Sequence, residues 1–154
     1  MQKLLEQVAQ KLITEKKTIA VAESCTGGML GKLLTDRPGS SEYFKGGVIS
    51  YSNQIKIELL GVSKKVLEDF GAVSAEVAVM MAAGVKKVCK SDYALSVTGV
   101  AGPDGGSAEK PVGTFYLGLA TPNGIETKKC FYPGTRDEVR ISACKEALSF
   151  LYHS

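Results

Sequence analysis

Two hydrophobic periods alternate along the chain, and the switches between them mark its elements. Leu4, Leu5, Val8, Leu12 and Ile13 recur at helical spacing, which predicts an amphipathic helix over residues 2–16. Thr18 to Ala22 is a short apolar run, read as a central strand. Helical character resumes from Gly28 to Leu34 and ends at the turn cluster Asp36-Arg37-Pro38-Gly39-Ser40-Ser41. Val48 to Tyr51 reads as a strand whose start is marked by Gly46 and Gly47. Asn53 to Leu60 is helix-compatible and can end at Gly61. Ser63 is placed to cap a short helix from Lys64 to Asp69, and Ser74 to cap a longer one running to about Lys90. Tyr93 to Thr98 is an apolar strand. A glycine-rich stretch from Gly99 to Gly113 separates it from a further strand, Thr114 to Ala120. Thr121-Pro122-Asn123-Gly124 carries the Asn-Gly hairpin signal, with Ile125 to Phe131 as the returning strand. Thr135 and Glu138 form a candidate capping box for the last helix.

Strands first alternate with helices and then form a hairpin. This order predicts an α/β fold: a three-layer α/β/α arrangement with a mostly parallel mixed sheet between helices. The 154 residues fit one domain, 1–154, long enough to bury a core unaided. No repeat or linker interrupts them. The glycine-rich stretch lies between two strands and is too irregular for a flexible spacer, so a functional loop is expected there.

Composition narrows the function classes. Hydrophobic residues make up 44% and charged residues 23%, ordinary values for a soluble globular chain. A net charge of +3 with no basic run longer than a pair gives no footprint for nucleic acid. No apolar stretch approaches membrane-spanning length, and the amphipathic N-terminus has no secretory pattern. Cys25, Cys89, Cys130 and Cys144 are widely spaced with no CxxC pair, so no metal site and a reduced, cytoplasmic setting are expected. The single histidine, His153, is the penultimate residue. A Ser-His-Asp or Cys-His mechanism needs a histidine inside the fold, so any general base must be a carboxylate, a lysine or a tyrosine.

Three loops leave the ends of apolar strands: the turn AESCTGG at 22–28, the segment Tyr51–Lys56, and the loop after Thr98. Ligands of open α/β sheets bind at the carboxyl ends of strands, so parallel neighbours would bring these loops to one crevice. Ser24 has two readings. It is a favoured N-cap beside a tight Thr26-Gly27-Gly28 turn. That is the commoner role for a serine there; the other is a nucleophile at a helix N-terminus, facing backbone N–H groups that can hold an oxyanion. Cys25 is the rival nucleophile, but strand alternation sends it to the opposite side, and no cation stands nearby in sequence. Lys56 is ordinarily a solvated surface lysine. Among apolar neighbours, however, a desolvated lysine loses its proton near neutral pH and becomes a base for Ser24. Tyr51 either packs or orients the pair. Arg136 and Arg140 lie one helical turn apart near a helix N-terminus, where they oppose the dipole. They are either tolerated on a solvated face or used to bind phosphate or carboxylate.

The segments AESCTGG (22–28), GSSEYFKGGVISYSNQIK (39–56), GAVS (71–74), VTGVAGPDGGSAEKPVGT (97–114) and GTRDEVR (134–140) resemble the CinA C-terminal domain family. That family comprises competence- and damage-inducible CinA proteins and stand-alone nicotinamide-nucleotide amidases. The resemblance implies hydrolysis of the carboxamide of nicotinamide mononucleotide, without a cofactor. It implies Ser24 as nucleophile, Lys56 as its base, and Tyr51, Thr98 and an arginine of 136–140 in support. The expected substrate-binding positions are Thr26, Gly27, Gly28, Gly46, Gly47, Asn53, Gly99, Gly102, Arg136 and Arg140. The larger CinA proteins carry a further N-terminal domain with no counterpart in these 154 residues, so none of its activity is carried over. The small substrate is the one expected partner; the apolar helices also permit a homodimer. The competing class is a CinA-type module that binds a nucleotide or phosphate without chemistry; the joint presence of Ser24 and Lys56 favours the enzyme.

Overall fold

A computed structural model describes residues 1–154. Five strands form one sheet in the order β2-β1-β3-β4-β5. They are β1 (Ile19–Glu23), β2 (Phe44–Ile49), β3 (Tyr93–Gly99), β4 (Thr114–Thr121) and β5 (Gly124–Phe131). β1 pairs in parallel with β2 and β3, whereas β3–β4 and β4–β5 are antiparallel. The helices are α1 (Gln2–Glu15), α2 (Met29–Thr35), α3 (Asn53–Leu60), α4 (Lys64–Phe70), α5 (Ala75–Cys89) and α6 (Arg136–Tyr152). The expected mixed, three-layer α/β architecture is present.

Alternation along the central strands divides the core. Ile19, Val21, Leu95, Val97, Phe115, Leu117 and Leu119 pack with α1, α2 and α6. The opposite face carries small side chains, Ala20, Ala22, Ala94 and Ala120, beneath α3, α4 and α5. α5 therefore approaches the sheet closely, and the Ser96 hydroxyl donates to the Ala78 carbonyl across 2.6 Å. The same alternation decides the sides at the end of β1. Glu23 follows Ile19 and Val21 toward α2, while Ser24 continues the Ala20–Ala22 side toward α3.

Two local expectations are corrected. The second strand is Phe44–Ile49, not Val48–Tyr51. Gly46 and Gly47 lie inside it rather than before it, since β2 runs as an edge strand beside β1 with Val21 opposite Gly47. A Cβ on Gly47 would stand 2.6 Å from Val21 Cγ2 and 2.7 Å from its carbonyl oxygen. Gly47 thus serves the approach of the two strands, and neither Gly46 nor Gly47 lines the cleft described below. Ser24 is also not an N-cap. Gly28 occupies that position of α2 with φ 104°, a conformation that side chains disfavour, and it makes no side-chain cap.

Candidate active site

The cleft lies at the carboxyl ends of β1 and β3, as the parallel arrangement requires. Ser24, Lys56, Tyr51, Asn53, Thr98, Gly99, Gly102 and Arg136 all line it, together with Cys25, Ala72, Val73, Val100, Ala101 and Asp104. Its volume is about 270 Å³, near the lower end of the roughly 300–1,000 Å³ of small-ligand sites.

Sheet hydrogen bonds fix the backbone at its floor. The Ser24 amide donates to the Val97 carbonyl at 3.0 Å, and the Ser50 amide to the Glu23 carbonyl at 2.7 Å. Ser52 then caps α3 by accepting from the Ile55 amide, which places Lys56 in the first turns of the helix. Helical side chains lean toward the N-terminus, so Lys56 reaches back across the 50–52 loop. Its Nζ donates to the Ser50 carbonyl at 2.7 Å, the Tyr51 carbonyl at 3.1 Å and Ser24 Oγ at 3.0 Å. Lys56 is 1% exposed and no carboxylate pairs with it. Burial penalises its ammonium form and lowers its pKa from 10.5 to about 8. A solvated surface lysine is thereby excluded.

Cys25 faces the other way, into the core beside Cys144 and α6. Burial pushes its thiol up to about 11, so it stays protonated. Tyr51 contributes to Lys56 through its carbonyl. The residue is 60% exposed at the cleft rim, where its hydroxyl accepts from Arg136 Nη2 at 3.2 Å. Orientation of the Ser–Lys pair by the Tyr51 side chain has no contact behind it. The Thr98 hydroxyl donates to the Ala72 carbonyl at 2.9 Å and holds the cleft wall without touching Ser24 or Lys56.

The two arginines divide. Arg136 lines the cleft and also donates to the Gly102 carbonyl at 2.7 Å, leaving further N–H groups of its guanidinium free. Arg140 turns to the back of the nucleophile turn. Its Nε and Nη2 donate to the carbonyls of Cys25 and Thr26, both at 3.1 Å. Thr26, Gly27 and Gly28 do not line the cleft, and the Thr26 side chain is fully buried with its hydroxyl unpartnered.

Sequence reasoning missed Glu23. This carboxylate is 1% exposed and accepts from the amides of Gly28, Leu30 and Gly31 at 3.2, 2.8 and 2.9 Å. It does the capping assigned to Ser24 and leaves that hydroxyl to Lys56. An acidic residue one place before the turn is the only local signal for it. Glu23 and Arg140 thus grip the 24–28 turn by its donors and its acceptors respectively. The Gly27 amide donates to the Ser24 carbonyl at 3.1 Å. Gly27 and Gly28 are therefore not available as oxyanion donors. The amides of Cys25 and Thr26 have no acceptor within the protein, nor do those of Ala101 and Gly102 in the facing loop.

The family model for the CinA C-terminal domain matches residues 1–154. A CinA-like protein of Leptospira biflexa is 50% identical over 152 residues, 98% of this chain and 36% of that protein. A CinA-like protein of Geotalea uraniireducens is 52% identical over 134 residues, 87% of this chain and 32% of that protein. The chain thus spans about a third of the length of the curated relatives it matches. Among solved structures, the competence damage-inducible protein A of Klebsiella pneumoniae superposes with a TM-score of 0.95 at 31% identity, covering 99% of this chain and 94% of that one. The competence/damage inducible protein of Agrobacterium tumefaciens gives 0.91 at 38% identity, covering 97% and 94%.

Proposed function

The chain belongs to the CinA C-terminal domain family, and on that premise we propose that it hydrolyses the carboxamide of nicotinamide mononucleotide to nicotinate mononucleotide and ammonia, through an acyl-enzyme on Ser24. The observation that carries this reading is the 3.0 Å contact between Lys56 Nζ and Ser24 Oγ, with Nζ otherwise bonded to two main-chain carbonyls. A neutral amine keeps two N–H groups. These stay on Ser50 and Tyr51, and the lone pair is left directed at the Ser24 hydroxyl. Burial supplies the neutral form at mild pH.

Lys56 takes the hydroxyl proton as Ser24 Oγ attacks the carboxamide carbon. The oxyanion falls to the unused amide of Cys25, directly after the nucleophile and lining the cleft; one such donor is worth about 3 kcal/mol. Lys56 returns the proton to the leaving nitrogen and ammonia departs. Water then attacks the ester with Lys56 again as base. The phosphate is met by the free guanidinium N–H groups of Arg136 and by the Ala101 and Gly102 amides. The Tyr51 ring at the rim offers a face to the pyridinium.

Ammonia release by the wild type and by Lys56→Met, with the fold checked by circular dichroism, tests the reading. A folded variant that has lost activity agrees with it. Near-wild-type release would remove Lys56 as the base.

A further inference from the structure

Lys56 Nζ is held at a single point. Two carbonyls and Ser24 Oγ occupy its three hydrogen-bonding directions, and it lies almost wholly out of solvent. The cleft supplies no alternative base. The Cys25 thiol is pushed up to about 11 and faces the core, the Tyr51 hydroxyl is on Arg136, and the one carboxylate, Asp104, lies exposed on the glycine loop with no bond to Ser24 or Lys56. One immobile base must therefore serve both halves of the reaction. The leaving amine of the first step and the attacking nucleophile of the second pass through the same place beside Nζ.

We infer that the protein is also an acyl transferase to small neutral amines, delivering the Ser24-bound acyl group to hydroxylamine or ammonia as well as to water. This rests on the amidase reading. In the transfer, the amine nitrogen attacks the ester carbon and a C–N bond forms. The bond from that carbon to Ser24 Oγ breaks, and the amine proton travels through Lys56 to Ser24 Oγ. Nothing is oxidised or reduced. A site that expels ammonia has room and a proton acceptor for an amine of that size, and microscopic reversibility requires ammonia itself to re-enter by the route it left. An amine uncharged at the working pH needs no further base and competes with water for the ester.

The experiment incubates the whole protein with nicotinamide mononucleotide, and separately with the methyl ester of nicotinate mononucleotide, over a range of hydroxylamine concentrations. Hydroxamate and acid are quantified by mass-resolved chromatography, with Ser24→Ala as background. The expected hydroxamate-to-acid ratio rises linearly with hydroxylamine and is the same from the amide and the ester, because both pass through one acyl-enzyme. Nitrogen-15 ammonium is expected to enter unreacted nicotinamide mononucleotide. Acid and ammonia formed normally, with no hydroxamate above background, would overturn the inference and leave the amidase standing. A ratio that depends on the leaving group would overturn it too, by removing the common intermediate. Absence of ammonia release from nicotinamide mononucleotide would sink the amidase reading and the inference together.

Discussion

Raising the pH through about 8 is expected to switch the Ser24–Lys56 pair on. The perturbation is loss of the Lys56 proton, and the cause is desolvation, which lowers its pKa from 10.5 to about 8. Only the neutral amine can accept the Ser24 proton, so the rate follows its fraction. At pH 6 that fraction is about a hundredth, at pH 7 about a tenth, and at pH 9 about nine-tenths. The rate constant kcat/KM should thus climb roughly tenfold per pH unit below 8 and level off above 9. The same displacement acts on stability. The folded state holds its lysine proton less tightly than the unfolded chain, so a penalty is absent above about pH 10.5 and complete below about pH 8. Its size is about 3 kcal/mol. Ammonia release measured from pH 5.5 to 10 gives the first profile, and urea unfolding at pH 7 and 10 the second. The second ionisation of the substrate phosphate, near pH 6, is too low to imitate an inflection at 8. A kcat/KM that is flat between pH 6 and 8, or that falls as pH rises through 8, would refute the reasoning.

Glu23→Ala leaves three amides at the start of α2, one buried and two part-buried, without their acceptor; a loss on the order of 3 kcal/mol is expected in denaturant unfolding, with kcat reduced in whatever remains folded. Gly47→Ala forces a Cβ against Val21 and should destabilise by about 1–3 kcal/mol, while activity per folded molecule persists; a selective rise in KM would instead return Gly47 to the substrate site. Arg136→Gln should raise KM by roughly 10–150-fold, the equivalent of one charge-assisted hydrogen bond, with kcat nearly kept. Arg140→Gln should lower kcat with little change in KM, because its guanidinium grips the backbone behind Ser24; equal KM effects in the two variants would undo this division.

What could be read in the sequence was mostly local. The caps Ser63, Ser74 and Thr135 depend on residues within one turn, and each accepts the expected amide. In the capping box, Glu138 instead accepts from the Thr135 hydroxyl, a choice of side-chain rotamer that spacing does not fix. Ser24 and Lys56 can be singled out because the body of the chain has no histidine, yet their contact is between the turn after β1 and α3 and exists only in the fold. Glycines ordinarily punctuate strands, so the local segment points to Val48–Tyr51 where the fold has Phe44–Ile49. Here the reason for Gly47 is the neighbouring strand, invisible from its own segment. Glu23 has no local signature because a capping carboxylate normally sits at the cap, not on the strand before the turn. The separate fates of Arg136 and Arg140 turn on how α6 docks, since one helical turn carries the first to the cleft and the second to the carbonyls of Cys25 and Thr26.

The central claim is that Ser24 attacks a carboxamide. Ammonia release from nicotinamide mononucleotide, without added metal, by the wild type and by Ser24→Ala tests it most directly. The account predicts release by the wild type, nicotinate mononucleotide as the second product, and none from the variant. Release undiminished in Ser24→Ala, or no release by well-folded wild type, would contradict it.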